Sequence, residues 1–279
     1  MKYDLHVHSK YSDGSFTLSE LCQLAKESGI DGFALTDHDT VAGWREIPFV
    51  AAKYAITIIP SVEISTEYAE RDVHILAYGL GESKPHIDRL LSRLYASRVN
   101  RVKEMVAKLN DLGLAITATD VFREAAGGSP GRPHVAKVLI KNGYVDSLYQ
   151  AFNRYLGRGC PGYVPREKLT PRQCVEIIRS DKGLPVLAHP GLDEAYRLVP
   201  QLVEDGIWGL EAYHSSHSPG QEIKFKALAE KYNLQITGGS DFHSCDDGKH
   251  GNIGSKFIVT NSIDEFFAKQ GGTDNVERV

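Results

Sequence analysis

Ligand-type side chains stand at the carboxyl ends of successive strand-like segments in this 279-residue chain, and that placement constrains the fold more than any other feature. YDLHVH alternates at period two, so His6 and His8 share one face while Leu5 and Val7 take the other. Asp13 follows in the next loop, and Asp37, His38 and Asp39 stand just past the strand-like GFALT. Glu63 closes ITIIPSVEI, His74 lies within VHILAYG, and His189 ends LPVLAHPG. His214 and His217 follow IWGLEAY, and Asp241 and His243 end LQITGGSDFH.

Between these segments the apolar spacing becomes helical. Leu18, Leu21, Cys22 and Ala25 recur at helix period, with Thr17 placed as an N-cap and Gly29 just past the end. Further helices are expected near 44–54, 194–205 and 221–232, and in SIDEFFAKQ after a last short strand, SKFIV. Alternating strand and helix predicts an α/β fold, a distorted (β/α)7 barrel of mostly parallel strands. The pattern breaks at Pro85, where one long helix runs to about Gly113, followed by shorter ones near 119–126, 133–142 and 147–156. Alternation resumes after Thr170-Pro171, an N-cap and a helix-opening proline. The expected organisation is a catalytic barrel over 1–81 and 169–279, with a helical insert over 82–168 serving as a substrate-recognition subdomain. The tail GGTDNVERV is expected to fray.

The net charge of −4 argues against strong non-specific duplex binding, but it conceals a division. Residues 85–168 carry 14 Lys and Arg against 7 Asp and Glu, while the remainder carries 18 against 29. An acidic part that holds cations and a basic part that grips phosphate would divide charge this way; a solvated charged helix would also contribute. No run approaches a membrane span, and the N-terminal residues lack an apolar signal segment. Four cysteines without CxxC spacing fit a reduced, cytoplasmic setting.

A lone buried histidine is usually a satisfied core residue. Nine or more ligand types directed to one mouth cannot be buried without partners, because an unpaired buried charge costs more than folding leaves over. Divalent ions are the natural partners, and imidazoles mixed with carboxylates without thiolates suit Mn²⁺, Zn²⁺ or Fe²⁺. Several such ions close together suit phosphoryl chemistry. For phosphate recognition the candidates are Arg132 and His134 of SPGRPHVAK, at the opening of a helix whose free N–H groups favour an anion. The bland alternative for Arg132 is a surface charge. His217 is the candidate acid for the leaving group or a phosphate contact, with a structural loop histidine as the alternative. His86 and His250 read as surface residues, and Asp37 and Asp39 as carboxylates that orient ligands. Tyr11, Tyr163 and Tyr213 are candidates to stack on a base.

DLHVHSKYSDGS, LTDHD, the Glu of VEIS, VHILAYG, AHPG and GSDFH together resemble the successive motifs of the PHP (polymerase and histidinol phosphatase) superfamily, in order, from residue 4 to about 243. The branch it resembles contains stand-alone phosphoesterases with a helical insert that act on 3′,5′-bisphosphate nucleotides or short 5′-phosphorylated RNA. The resemblance implies a catalytic role for Asp13 and Glu63 and two or three metal sites, and the negative charge that Asp13 adds is expected to favour Mn²⁺ over Zn²⁺. His6, His8, Glu63 and Asp241 would make one site; Asp13, His38 and His243 a second; His74 and His189, with Glu63 bridging, a third. Asp13 stands where many relatives carry histidine, and Cys160 of RGCPGYVP where lysine is more usual. The implied reaction is hydrolysis of a phosphomonoester by a hydroxide bridging the metals. The expected partner is a small phosphate ester, a nucleotide or short single-stranded RNA, with no membrane and no obligatory protein partner. Histidinol phosphate remains an alternative substrate. An amidohydrolase-type metal hydrolase is a competing class, although its usual lysine is absent from the strand carrying His74. A non-catalytic metal-binding module is a third reading, disfavoured because no ligand position is lost.

Overall fold

The computed structural model describes residues 1–125, 128–165, 167, 169–245 and 250–268; the GGTDNVERV tail, Ala126 and the last two residues of SIDEFFAKQ lie outside them. The first half contains β1 (Lys2–Val7), α1 (Leu18–Glu27), β2 (Gly32–Leu35), a 3₁₀ turn (Ala42–Glu46) leading into α2 (Ile47–Tyr54), β3 (Thr57–Pro60), β4 (Val62–Tyr68) and β5 (Arg71–Tyr78). A helical stretch follows: α3 (Pro85–Asp111), α4 (Ala118–Glu124), α5 (Arg132–Lys141), α6 (Leu148–Ala151) with a π turn (Phe152–Leu156), and α7 (Pro171–Ser180). The chain then forms β6 (Leu184–Leu187), a 3₁₀ segment (Leu192–Leu198), α8 (Val199–Asp205), β7 (Gly209–His214), α9 (Pro219–Lys231), β8 (Gln235–Gly239), β9 (Ile258–Val259) and α10 (Ile263–Ala268).

Local chemistry accounts for the helix ends. Thr17 caps α1 in a reciprocal box with Glu20, and Gly29 follows at φ +70. Thr170 caps α7 with Gln173 in the same way, and Pro171 occupies its first turn.

The fold is mixed α/β, and the strands correct the barrel expectation. They form two sheets, ordered β3-β2-β1-β9 and β4-β5-β6-β7-β8. Between the sheets the strand pairing is reduced to isolated bridges, Val7 to Phe242 and His38 to Glu63, and no closed seven-stranded barrel is found among the described residues. Four strand pairs are parallel, but β1–β9, β4–β5 and β5–β6 are antiparallel. The reason is local at β4–β5: only Ala69 and Glu70 join them, both at positive φ. A two-residue connection of that hand makes a hairpin and cannot make a crossover. ITIIPSVEI, expected as one strand, breaks at Ser61. The Ser61 N–H donates to Leu35 O and its carbonyl accepts from Trp44 Nε1 at 2.9 Å, so the chain steps from one sheet to the other just before Glu63.

α3 belongs to two cores. Ile87, Leu90, Leu91 and Leu94 pack with β4, β5 and α7, whereas Val102, Met105, Val106 and Leu109 pack with α4, α5 and the π turn. Midway, Arg98 ties these regions together. Its Nε and Nη2 both donate to Asp39 Oδ2, and the guanidinium also donates to Ser65 Oγ at 3.2 Å and Pro130 O at 3.3 Å. Asp39 is 3% exposed and also accepts from Ser65 N at 2.8 Å. Removing the guanidinium strands a buried carboxylate, so Arg98→Ala is expected to cost about 3–5 kcal/mol in urea denaturation. The Asp39→Asn/Arg98→Ala double variant is expected to recover part of that loss; equal destabilisation of the two would contradict the ion-pair account.

Candidate metal centre

β1 places the two histidines as its alternation requires: His6 and His8 are fully buried, with Leu5 and Val7 in the opposing cores. β8 comes so close to β1 that a Cβ on Gly239 would lie 2.4 Å from the His6 Cβ, so only glycine permits the approach. Three buried carboxylates brace the surrounding backbone. Asp4 accepts from Ser240 N at 2.9 Å, Ser240 Oγ at 2.6 Å, Gly254 N at 2.8 Å and His6 N at 3.2 Å. Burial nevertheless pushes its carboxyl up to about 6 against those donors. Asp37 accepts from Ser9 N, Ser9 Oγ and Ser12 Oγ, holding the loop that carries Asp13. Asp37 and Asp39 therefore secure backbone. Among the bracing carboxylates Glu211 touches an imidazole, with Oε1 3.0 Å from His6 Nδ1 and Oε2 accepting from His189 N at 2.7 Å.

Glu63 lies at the centre, with 0% exposure. Its Oε1 is 2.9 Å from His74 Nδ1 and 3.0 Å from His189 Nε2. Its Oε2 is 3.3 Å from His6 Nε2, 3.2 Å from His8 Nε2 and 3.0 Å from His38 Nδ1. Asp241 Oδ1 adds contacts of 3.3 Å to His6 Nε2 and 3.1 Å to His8 Nε2. Asp13 lies 3.2 Å from His243 Nε2 and 4.0 Å from His38 Nε2. Ligand atoms thus gather in compact sets, among them His6, His8, Glu63 and Asp241; His8, Asp13, His38 and His243; and His38, Glu63 and His74. Asp39, His189 and Asp241 all take positive φ, the backbone strain often found at functional sites.

The chemistry of these sets fits divalent cations. His6 Nε2, both His8 ring nitrogens, Asp13 Oδ1, His38 Nδ1 and Glu63 Oε2 are buried without a hydrogen-bond partner. Such convergence of orphaned atoms is costly unless something binds them together. The N–O separations of 3.1–3.3 Å match the edges of a coordination shell with bonds of about 2.1 Å. The electrostatics agree. Burial raises the Glu63 carboxyl, but the His38, His6 and His74 charges and a His189 hydrogen bond together hold it well below its usual range. Asp13 and Asp241 are likewise pushed up by burial and pulled well down by neighbouring imidazoles. Burial lowers His243, yet Asp13 and Asp241 outweigh it and bring the ring up to about 9. Burial dominates at His74, which falls to about 4.

The nine residues His6, His8, Asp13, His38, Glu63, His74, His189, Asp241 and His243 thus come together in space. The three other candidates do not join them at the cavity wall. His217 is committed to backbone, Nδ1 donating to Ala212 O at 3.0 Å and Nε2 accepting from Gly191 N at 3.2 Å. Burial holds its pKa at about 4, so neither nitrogen is placed to serve as acid or phosphate donor. His134 is buried and accepts from Gly131 N at 3.1 Å, and its pKa is lowered by burial against the opposing charge of Asp13 and a hydrogen bond to the Ser12 backbone. Arg132 sits 3.4 Å from Asp72 Oδ2 with its guanidinium over the Phe152 ring.

A cavity of about 580 Å³ opens onto the cluster, and Lys137 is the one Lys or Arg among its described lining residues. Leu148, Tyr149 and Phe152 form its apolar rim, in place of Tyr11, Tyr163 and Tyr213, which do not line it. His250, read from sequence as a surface residue, lines it too. Glu211 and Lys137 were missed, and His214 stood among the ligand-type residues without a role. Lys137 could have been found one turn beyond Pro133 on the same helix; Glu211 escapes strand periodicity because the register shifts between it and Tyr213, and His250 gives no periodic signal.

Two outcomes follow for metal binding. Glu211→Gln is expected to weaken metal retention on the order of 10- to 100-fold, read by metal analysis after chelator dialysis. Because the metal-free His243 holds its proton up to about 9, binding near neutral pH must displace it. Apparent affinity is therefore expected to fall as pH drops below about 9, roughly tenfold per pH unit for each proton displaced. Calorimetry in buffers of different ionisation enthalpy checks this; heats independent of the buffer would refute proton displacement.

Comparison with known proteins agrees with this geometry. A family model described as PHP domain matches residues 4–155, from β1 to the π turn. The chain is 34% identical to a 5′-3′ exoribonuclease of Haemophilus influenzae, covering 87% of this chain and 90% of that one. It is 32% identical to a 3′,5′-nucleoside bisphosphate phosphatase of Chromobacterium violaceum, covering 88% of each. A solved structure from Bifidobacterium adolescentis, described as a metal-dependent phosphoesterase, superposes with a TM-score of 0.86 at 28% identity over 99% of this chain and 98% of that one. On these grounds the chain belongs to the PHP domain family.

Proposed function

We propose that the protein is a metal-dependent phosphoesterase that hydrolyses a phosphomonoester of a nucleotide, either a 3′,5′-bisphosphate nucleotide or a short 5′-phosphorylated RNA. The observation that carries this reading is the cavity itself. Its floor is Asp13, His38, Glu63, His74, His189, Asp241 and His243; its rim is Leu148, Tyr149 and Phe152; Lys137 also lines it. A ligand matched to that sequence of surfaces carries phosphate at one end and a planar apolar group at the other, with anionic charge near Lys137. The relatives named for nucleotide and RNA chemistry support the same reading.

His6, His8, Glu63 and Asp241 would hold one ion, Asp13, His38 and His243 a second, and His74 and His189 a third shared with Glu63. Divalent ions bound there would neutralise phosphate charge and lower the pKa of water. Mn²⁺ is the proposed ion, since Asp13 adds a hard, negatively charged oxygen. Glu63 and Asp241 supply fixed negative charge, and Glu211 holds the His6 ring in place. Tyr149, 78% exposed at the rim, offers a face on which a base can stack. Arg132 supports Phe152 from behind through the cation–π contact. The helical stretch between β5 and β6 would thus act as the substrate-recognition subdomain.

Mn²⁺-loaded protein is expected to release phosphate from a 3′,5′-bisphosphate nucleotide faster than from histidinol phosphate. Asp241→Ala is expected to lose activity by on the order of 10²-fold or more. Lys137→Ala should raise KM for the bisphosphate roughly 10- to 100-fold, the loss of one charge-assisted contact. Tyr149→Ala should weaken nucleotide substrates by about 1–3 kcal/mol while leaving glycerol phosphate unaffected. Faster turnover of histidinol phosphate would overturn the nucleotide assignment.

A further inference from the structure

We propose that His250 is a further ligand of the metal centre, engaging a divalent ion together with the Oδ2 oxygen of Asp241. This inference rests on the metal-centre reading above and goes beyond its nine residues. Asp241 divides its two oxygens. Oδ1 faces His6 and His8, whereas Oδ2 lies 3.6 Å from His250 Nε2 and 3.5 Å from His214 Nε2. A separation of 3.6 Å is too long for a hydrogen bond. It is close to the ligand-to-ligand edge of a tetrahedral shell with bonds of about 2.1 Å. Asp241, His243 and His250 each offer a ligand atom within 4.8 Å of the others.

The position of His250 is built into the site. Its ring stacks on His243 with centroids 4.2 Å apart and planes 24° apart, and its side chain is only 13% exposed. The neighbouring Gly251 N–H donates to Ser240 O at 3.2 Å, and a Cβ there would strike Ser255 Oγ at 2.3 Å and Ser215 Cβ at 2.7 Å. Gly254 N–H donates to Asp4 Oδ2, the same carboxylate that fixes Ser240 beside Asp241. One buried acid therefore sets the backbone on both sides of the Asp241–His250 pair. His214, 1% exposed with an orphaned Nε2, approaches the same Oδ2 at 3.5 Å. With Oδ1 on the His6–His8 side and Oδ2 on the His250 side, Asp241 would offer one oxygen to an ion on each side.

The test is Mn²⁺ binding, by number and affinity, together with the visible spectrum of the Co²⁺-substituted protein, for wild type, His250→Ala, His250→Phe and His250→Asp. His86→Ala on the exposed face of α3 serves as control. The expected result is that His250→Ala and His250→Phe weaken one class of bound ion by on the order of 10-fold or more. Both should alter the Co²⁺ spectrum, while His250→Asp retains the ion. Phenylalanine keeps the stacking on His243 without a donor atom, so wild-type binding by His250→Phe alone would assign His250 to packing and overturn the proposal. Unchanged number, affinity and spectrum in all three variants would overturn it as well. Absence of metal binding by the wild type would instead defeat the metal-centre reading on which the proposal stands.

Discussion

Glu63 is a fully buried carboxylate contacted by five imidazoles, and much of the architecture exists to make that arrangement tolerable. A buried carboxylate without compensation would protonate or unfold its surroundings. Here each oxygen has its own set of rings, His74 and His189 on one and His6, His8 and His38 on the other. This is the geometry a bridging ligand needs. The break at Ser61 belongs to the same constraint, because it transfers the chain between sheets and directs Glu63 inward. A continuous strand over ITIIPSVEI could not serve both sheets.

Around the cluster, carboxylates that face away from the cavity do structural work. Asp4, Asp37 and Asp39 collect backbone N–H and hydroxyl donors, and Glu211 spans from a ring nitrogen to a backbone amide. Each therefore fixes a loop or a tautomer more than it contributes charge to a substrate. Positive φ at Asp39, His189 and Asp241 lies where these braces are dense, consistent with strain held by well-determined surroundings. His217 joins this supporting set: its ring links Ala212 to Gly191 and so steadies the turn following His189.

The helical stretch between β5 and β6 is joined to the sheets by packing as well as by chain connection. α3 runs through both cores, and Arg98 links its middle to Asp39 and to the backbone just before α5. That anchorage sets α5 and α6 over the cavity, where Lys137, Tyr149 and Phe152 face a floor of metal-ligand type. The charge division of the sequence thereby acquires a spatial meaning, with one basic side chain brought to the edge of an acidic and imidazole-rich cavity.

Strand periodicity and the HxH, TDHD and GSDFH motifs were legible because they are local: alternation puts His6 and His8 on one face whatever the rest of the chain does. Helix limits were equally legible at Thr17, Gly29 and Thr170, where capping chemistry is written in neighbouring residues. The two-sheet arrangement was not, since the hand of a two-residue turn and a break at one serine decide it. Arg132 and His134 had the chemistry expected of phosphate ligands, but Asp72, Phe152 and Gly131 had already engaged them, and Lys137 further along the same helix reached the cavity instead. The sequence by itself therefore determined nine candidate metal-binding residues and the order in which the chain presents them. Only the tertiary structure decided which nitrogen or oxygen faces the cavity, because burial, bracing and competing hydrogen bonds depend on residues distant in the chain.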